Sequence, residues 1–152
     1  MKANAFLTLA ALAGAFGSAW AQSDIVVSEP WIREAPPGAP ALAGYMRVEN
    51  RGSAASALSG ARSEAFGMVM IHQSVHEGGM ARMVHADRID LPPGEAVSFE
   101  PGGYHLMLMS PMREVKRGDR IEIVLEFSDG GMRPVVFDVR PPGAGVRRNG
   151  DR

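Results

Sequence analysis

Pro101-Gly102-Gly103-Tyr104-His105-Leu106-Met107-Leu108-Met109 is a turn signal followed by a run in which two chemistries alternate. Side chains two residues apart along a strand share a face. Leu106 and Leu108 therefore point one way, and His105, Met107 and Met109 point the other. The leucines mark the core face, and because a sandwich strand has one inner face, the histidine and the two methionines are expected to face outward. The same grammar recurs along the chain: short alternating or apolar runs at 25–27, 42–48, 68–75, 81–86, 96–99, 104–109, 121–127 and 135–139. Turn-forming strings fall among them: Ala35-Pro36-Pro37-Gly38, Pro92-Pro93-Gly94, Lys116-Arg117-Gly118-Asp119 and Ser128-Asp129-Gly130-Gly131. With eleven prolines, eighteen glycines and no helical-period stripe after the N-terminal segment, the pattern predicts an all-β sandwich or barrel.

The two ends read differently. Lys2, an apolar run over 5–16 and the small-x-small site Ala19-Trp20-Ala21 form the grammar of an export signal, so residues 1–21 are expected to be removed and the mature protein to start at Gln22. The apolar run is too short for a membrane span, which needs about 20 residues, so no stable membrane insertion is expected. Residues 22–140 suffice for one domain with its own core. From Pro141 the composition turns to Gly, Pro and Arg, and 141–152 reads as a disordered tail. The balance of 16 basic and 17 acidic residues gives a formal charge of -1. It leaves no basic stripe for nucleic acid, which is not an expected partner.

The chain has no cysteine, so disulfides, thiolate metal sites and thiol chemistry are excluded. What it has instead is a cluster of soft donors. Seven of its ten methionines (Met68, Met70, Met80, Met83, Met107, Met109 and Met112) share one stretch with His72, His76, His85 and His105. Imidazole suits several transition metals, whereas a thioether holds Cu(I) and is a poor ligand for Zn2+, Mg2+ or Ca2+. Two imidazoles with two thioethers, as in His72, Met83, His105 and Met107, favour monovalent copper.

Each of these residues also has a plainer reading. A single methionine is most often core filler, the reading given to Met46 and Met132. His76 and His85 read as solvated loop histidines that could add a weak surface site for Cu(II) or Zn2+. No G-x-S-x-G elbow, H-E-x-x-H helix or phosphate loop is present, and no nucleophile and base pair is visible, so the chain is not read as an enzyme. Blue-copper electron transfer would need a cysteine thiolate. The alternative to a metal carrier is a metal-independent exported β-sandwich that binds a protein through its methionine-rich face.

These residues carry a specific resemblance. His72, ten residues, Met83, twenty-one residues, His105, one residue and Met107 make up the H-x10-M-x21-H-x-M hallmark of the periplasmic copper chaperones of the PCuAC type, which the chain resembles from about Ile25 to Val139. Pro30-Trp31, Ala35-Pro36-Pro37-Gly38-Ala39-Pro40, Gly44-Tyr45-Met46 and the string from Pro101 to Met109 are also similar to that family. The resemblance implies a cupredoxin-like Greek-key β-sandwich in the periplasm that binds one Cu(I) near its surface through His72, Met83, His105 and Met107. It also implies delivery of copper to the CuA centre in subunit II of cytochrome c oxidase, beside a Sco-type thiol protein. Some relatives carry a Met- and His-rich C-terminal extension for a second copper; residues 144–152 contain neither residue.

Overall fold

The computed structural model describes residues 24–143. The expected signal segment and most of the expected tail, from residue 144 on, lie outside the described residues. Ten strands are present among them: β1 (Ile25–Arg33), β2 (Ala41–Asn50), β3 (Ser56–Arg62), β4 (Phe66–Glu77), β5 (Met80–His85), β6 (Ile89–Leu91), β7 (Ala96–Phe99), β8 (Tyr104–Pro111), β9 (Arg120–Phe127) and β10 (Met132–Arg140). They hydrogen-bond in the order β5-β4-β8-β7-β2-β1-β10-β9-β3-β6, with β8 also pairing β2.

The alternation that predicted the strands is the alternation that buries them. On β9, Ile121, Ile123, Leu125 and Phe127 are buried while Arg120 and Glu122 are exposed. The inward faces meet in one core in which Ile32, Val48, Leu58, Leu91, Leu106, Leu108, Ile123, Leu125 and Phe137 are fully shielded from solvent. β1 is broken by a bulge between Ser28 and Trp31, where Glu29 has φ 52°. Before the bulge β1 pairs with β2. After it, Trp31–Arg33 lie between β2 and a parallel stretch of β10, Asp138–Arg140. Pro134, which cannot donate to a ladder, sits on the part of β10 that pairs with β9 alone, so its missing N–H breaks nothing.

Two strands escaped the sequence reading. β3 is Ser-Ala-Leu-Ser-Gly-Ala-Arg, and β6 is three residues long. β3 has none of the β-branched or aromatic side chains that mark a strand, and β6, with Ile89 alone of that kind, is too short to show a pattern. Both are held by the core through Leu58, Ile89 and Leu91. The turns lie where the Pro-Gly strings put them. In addition Gly78 and Gly79, at φ 60° and 79°, close β4 onto β5 in a two-residue turn between the paired residues Glu77 and Met80.

Candidate metal site

Three neighbouring strands, β5, β4 and β8, build the site, and their register decides who meets whom. Across β4 and β8 the opposed pairs are Met68–Met109, Met70–Met107 and His72–His105, alternating with Val69–Leu108 and Ile71–Leu106. The second set faces the core, so the first set occupies the opposite face as three rungs of matched donors. Across β4 and β5, His72 is opposed to His85, and Ser74 to Met83. His72 therefore stands between two other imidazoles, with ring centroids 5.6 Å from His85 and 5.9 Å from His105. Met83 lies one rung beyond His72, and Met107 one rung short of His105 on the other side. A thioether on a three-torsion side chain can cover that offset.

Met83, His105 and Met107 line one open groove, together with Arg33–Pro36, the alanines Ala41 and Ala43 of β2, and Pro142. Its volume is about 420 Å3. This corrects one expectation: His105 faces away from the core but is only 5% exposed. The groove walls on β1, β2 and the segment after β1 stand beside that face of β8, and strand parity could not show them. Met107 is half-buried, and Met83 is 60% exposed on β5, every residue of which is exposed. The groove thus has a buried nitrogen end and an open sulfur end.

The hydrogen bonds of the histidines fit metal ligation. His105 Nδ1 donates to the Gly103 carbonyl at 3.3 Å, which places its proton there and leaves Nε2 with a free lone pair. His72 Nδ1 is buried and has no hydrogen-bond partner. Burial, then the charges of His105 and His85, hold the His72 imidazole below the usual histidine range, so it is kept neutral and able to donate. An orphaned buried nitrogen costs stability unless something binds it. Among the described residues no three His, Cys, Asp or Glu side chains gather as a metal site. The other donors on the face shared by His72 and His105 include the thioethers of Met70 and Met107, and imidazole with thioether is a donor mixture suited to Cu(I).

Other histidines and methionines sort by position. His76 is exposed at the far end of β4, opposite Ala81. His85 is on a strand rather than in a loop, half-exposed, with Nε2 3.3 Å from Asp87 Oδ1. Its place opposite His72 went unread, although counting outward from the Gly78-Gly79 turn would have found it. Met46 is core filler as expected, 3% exposed. Met132 is not: it is 64% exposed, and its sulfur accepts a hydrogen bond from Arg62 Nη2 at 3.6 Å. It lies at the start of β10, directly after the Gly130-Gly131 turn, where the face it occupies is not covered.

Known proteins are similar to this chain across its strand framework. The model of the LpqE-like family matches residues 25–139, all ten strands but for the last residue of β10. Lxx21020 of Leifsonia xyli subsp. xyli, which carries a lipoprotein name, is 33% identical over 117 residues, covering 76% of this chain and 69% of the relative. RP573 of Rickettsia prowazekii is 30% identical over 96 residues, 62% of this chain and 53% of that protein. Among solved structures, the copper-bound PCuAC domain from PmoF2 is similar with a TM-score of 0.65 at 28% identity, over 78% of this chain and 93% of the domain. The solution structure of CuI-DR1885 from Deinococcus radiodurans is similar with a TM-score of 0.66 at 27% identity, over 86% and 87%. The all-β, cupredoxin-like sandwich expected from the sequence is the fold shared with these domains.

Proposed function

We propose that this chain, which belongs to the LpqE-like family, is an exported copper carrier of the PCuAC kind that holds one Cu(I) on His72, Met83, His105 and Met107. The observation that carries the reading is the buried, partnerless Nδ1 of His72 beside His105, on the face where Met83 and Met107 line a shared groove. The copper in the similar PmoF2 and DR1885 structures supports it. Four neutral donors leave the ion its single positive charge and need no carboxylate close by. Thioethers also suit an oxidising compartment, because they cannot form disulfides and oxidise only to sulfoxide.

The chain acts as a carrier and not a catalyst: the ion is its cargo. Met83 is the ligand that can leave, since it sits on an exposed edge strand attached to the sheet through β4 alone. An incoming ligand reaches the open sulfur end of the groove while His105 still holds from the buried end. Transfer to a thiolate site is downhill, because thiolates bind copper more strongly than thioethers. The recipient we propose is the CuA centre of cytochrome c oxidase subunit II in the periplasm, with a Sco-type thiol protein alongside.

The test is an anaerobic Cu(I) titration of residues 22–152 against a competing chromophoric chelator, with the Met83→Ala/Met107→Ala variant beside it. One tight equivalent, lost in the folded variant, is the expected result. Incubating the loaded protein with an apo-CuA domain, which takes up two Cu(I) per centre, and then removing one electron with an added oxidant such as ferricyanide should produce the CuA absorption bands. Failure of the parent to compete for Cu(I) would sink the carrier reading and leave the methionine face as a protein-binding surface.

A further inference from the structure

The four proposed ligands use only part of the donor face. One rung beyond Met70–Met107 lies Met68–Met109, on the same side of β4 and β8. We propose that Met68, Met70 and Met109 form a second, weaker Cu(I) site, one rung from the first, through which the ion passes between solvent and the His72–His105 end. The inference rests on the copper-carrier reading above.

Three observations carry it. First, none of these methionines belongs to the core: Met68 is 55% exposed, Met70 and Met109 are half-buried, and Met46 is the methionine that the buried cluster contains. Core filling therefore does not account for them. Second, the neighbouring strand leaves Met109 only partly covered. On the adjoining strand β2, Ala41 is opposed to Met109 and Ala43 to Met107, two methyl side chains too short to pack over a thioether. Third, the chemistry is uniform: from the Met68–Met109 pair to the His72–His105 pair, and across to Ala41 and Ala43, the residues on this face are methionine, histidine and alanine, with no carboxylate or cation among them. These side chains offer a hard cation no oxygen donor, whereas Cu(I) finds thioethers and imidazoles.

The geometry allows three sulfurs to converge. Directly opposed residues on antiparallel strands stand about 5 Å apart at Cβ and diagonal ones about 7 Å. Methionine's three side-chain torsions close both gaps. A three-thioether site lacks the imidazoles of the first site, so it should bind more weakly by at least about tenfold. Movement between the sites is ligand exchange with no change of oxidation state: one Cu–S bond forms as another breaks, and Met70 and Met107 face each other across the rung that joins them.

The experiment follows the methionine methyl resonances of the full chain, carbon-13 labelled at those methyls, during anaerobic addition of Cu(I) to two equivalents. The first equivalent should shift Met83 and Met107, and the second Met68, Met70 and Met109. A Met68→Leu/Met109→Leu variant, which keeps volume and removes sulfur, should retain the first equivalent and lose the second. If the second equivalent leaves Met68, Met70 and Met109 unmoved, or the variant still takes it up, the second site is refuted and the carrier reading stands. If the first equivalent moves neither Met83 nor Met107, the carrier reading fails and the second site with it.

Discussion

Truncating Met83 to alanine separates a ligand from a packing residue. Met83 is 60% exposed on a strand with no buried residue, so little of its side chain is withdrawn from water. Removing a fully buried methionine costs about 2–5 kcal/mol, part of which is the cavity left behind. At Met83 no cavity forms, and the lost burial is worth about 1 kcal/mol or less. For a domain of this size that lowers Tm by no more than about 5 °C. Met46→Ala, at a site 3% exposed, is the matched control and should cost the full 2–5 kcal/mol, or roughly 8–20 °C. Cu(I) affinity should move the opposite way. Loss of one of four ligands weakens binding at least about tenfold, near 1.4 kcal/mol, in Met83→Ala. The folded Met46→Ala protein should bind as the parent does. Thermal unfolding without metal and chelator competition at a temperature where both variants are folded supply the two readouts. A Met83→Ala variant that unfolds, or one that binds Cu(I) like the parent, would refute the reasoning.

Copper affinity should fall from about pH 7.5 to about pH 5, because protons compete for the imidazoles. In the metal-free protein burial holds the His72 imidazole below its ordinary value, so the unfolded chain takes up the proton first. Stability present above the unfolded histidine pKa is then lost as pH falls through the lower folded one, which denaturation at several pH values would show. Gly79→Val places a β-branched residue at φ 79° and should cost about 1–2 kcal/mol at the β4–β5 turn. Hydrogen exchange should quicken on β5 with the core amides unchanged, and Cu(I) affinity should drop with the loosened Met83; unchanged exchange on β5 would refute the account. Asn50 is wholly buried, its Nδ2 donating to the Ala54 and Leu91 carbonyls and its Oδ1 accepting from Gly52 N. Asn50→Ala should cost about 2–3 kcal/mol in a denaturant titration and leave copper affinity unchanged.

The lipoprotein name of the Leifsonia relative and the copper in the PCuAC structures are compatible with a carrier that works outside the cytoplasm. The shape of the groove adds a direction to that work. Its buried end holds an imidazole whose tautomer is set by the Gly103 carbonyl, and its open end holds the thioethers. With the proposed ligands, capture and release would fall on different strands, β8 within the sheet and β5 at its edge.

The sequence by itself determined the strands whose inner face is aliphatic, the turns between them and the donor chemistry. Leu106 and Leu108 alternate with His105 and Met107 on one short strand, and the composition of both faces can be read there without any partner. β3 and β6 were not legible, since residues such as Ala57 and Ser56 become strand only because their neighbours bury them. The pairing of His72 with His85 was in principle legible, because a two-residue glycine turn fixes the register of everything behind it. The pairing of Met70 with Met107 and of His72 with His105 was not. Those strands are separated by three others in the chain, no turn ties their register, and it is set by how Ile71, Leu106 and Leu108 seat in the shared core. The cover over His105 likewise comes from β1, β2 and Pro142, elements distant in sequence. Local alternation is a property of one strand, whereas a metal site needs several strands in one register, and that register is decided by packing on the face the ligands do not share.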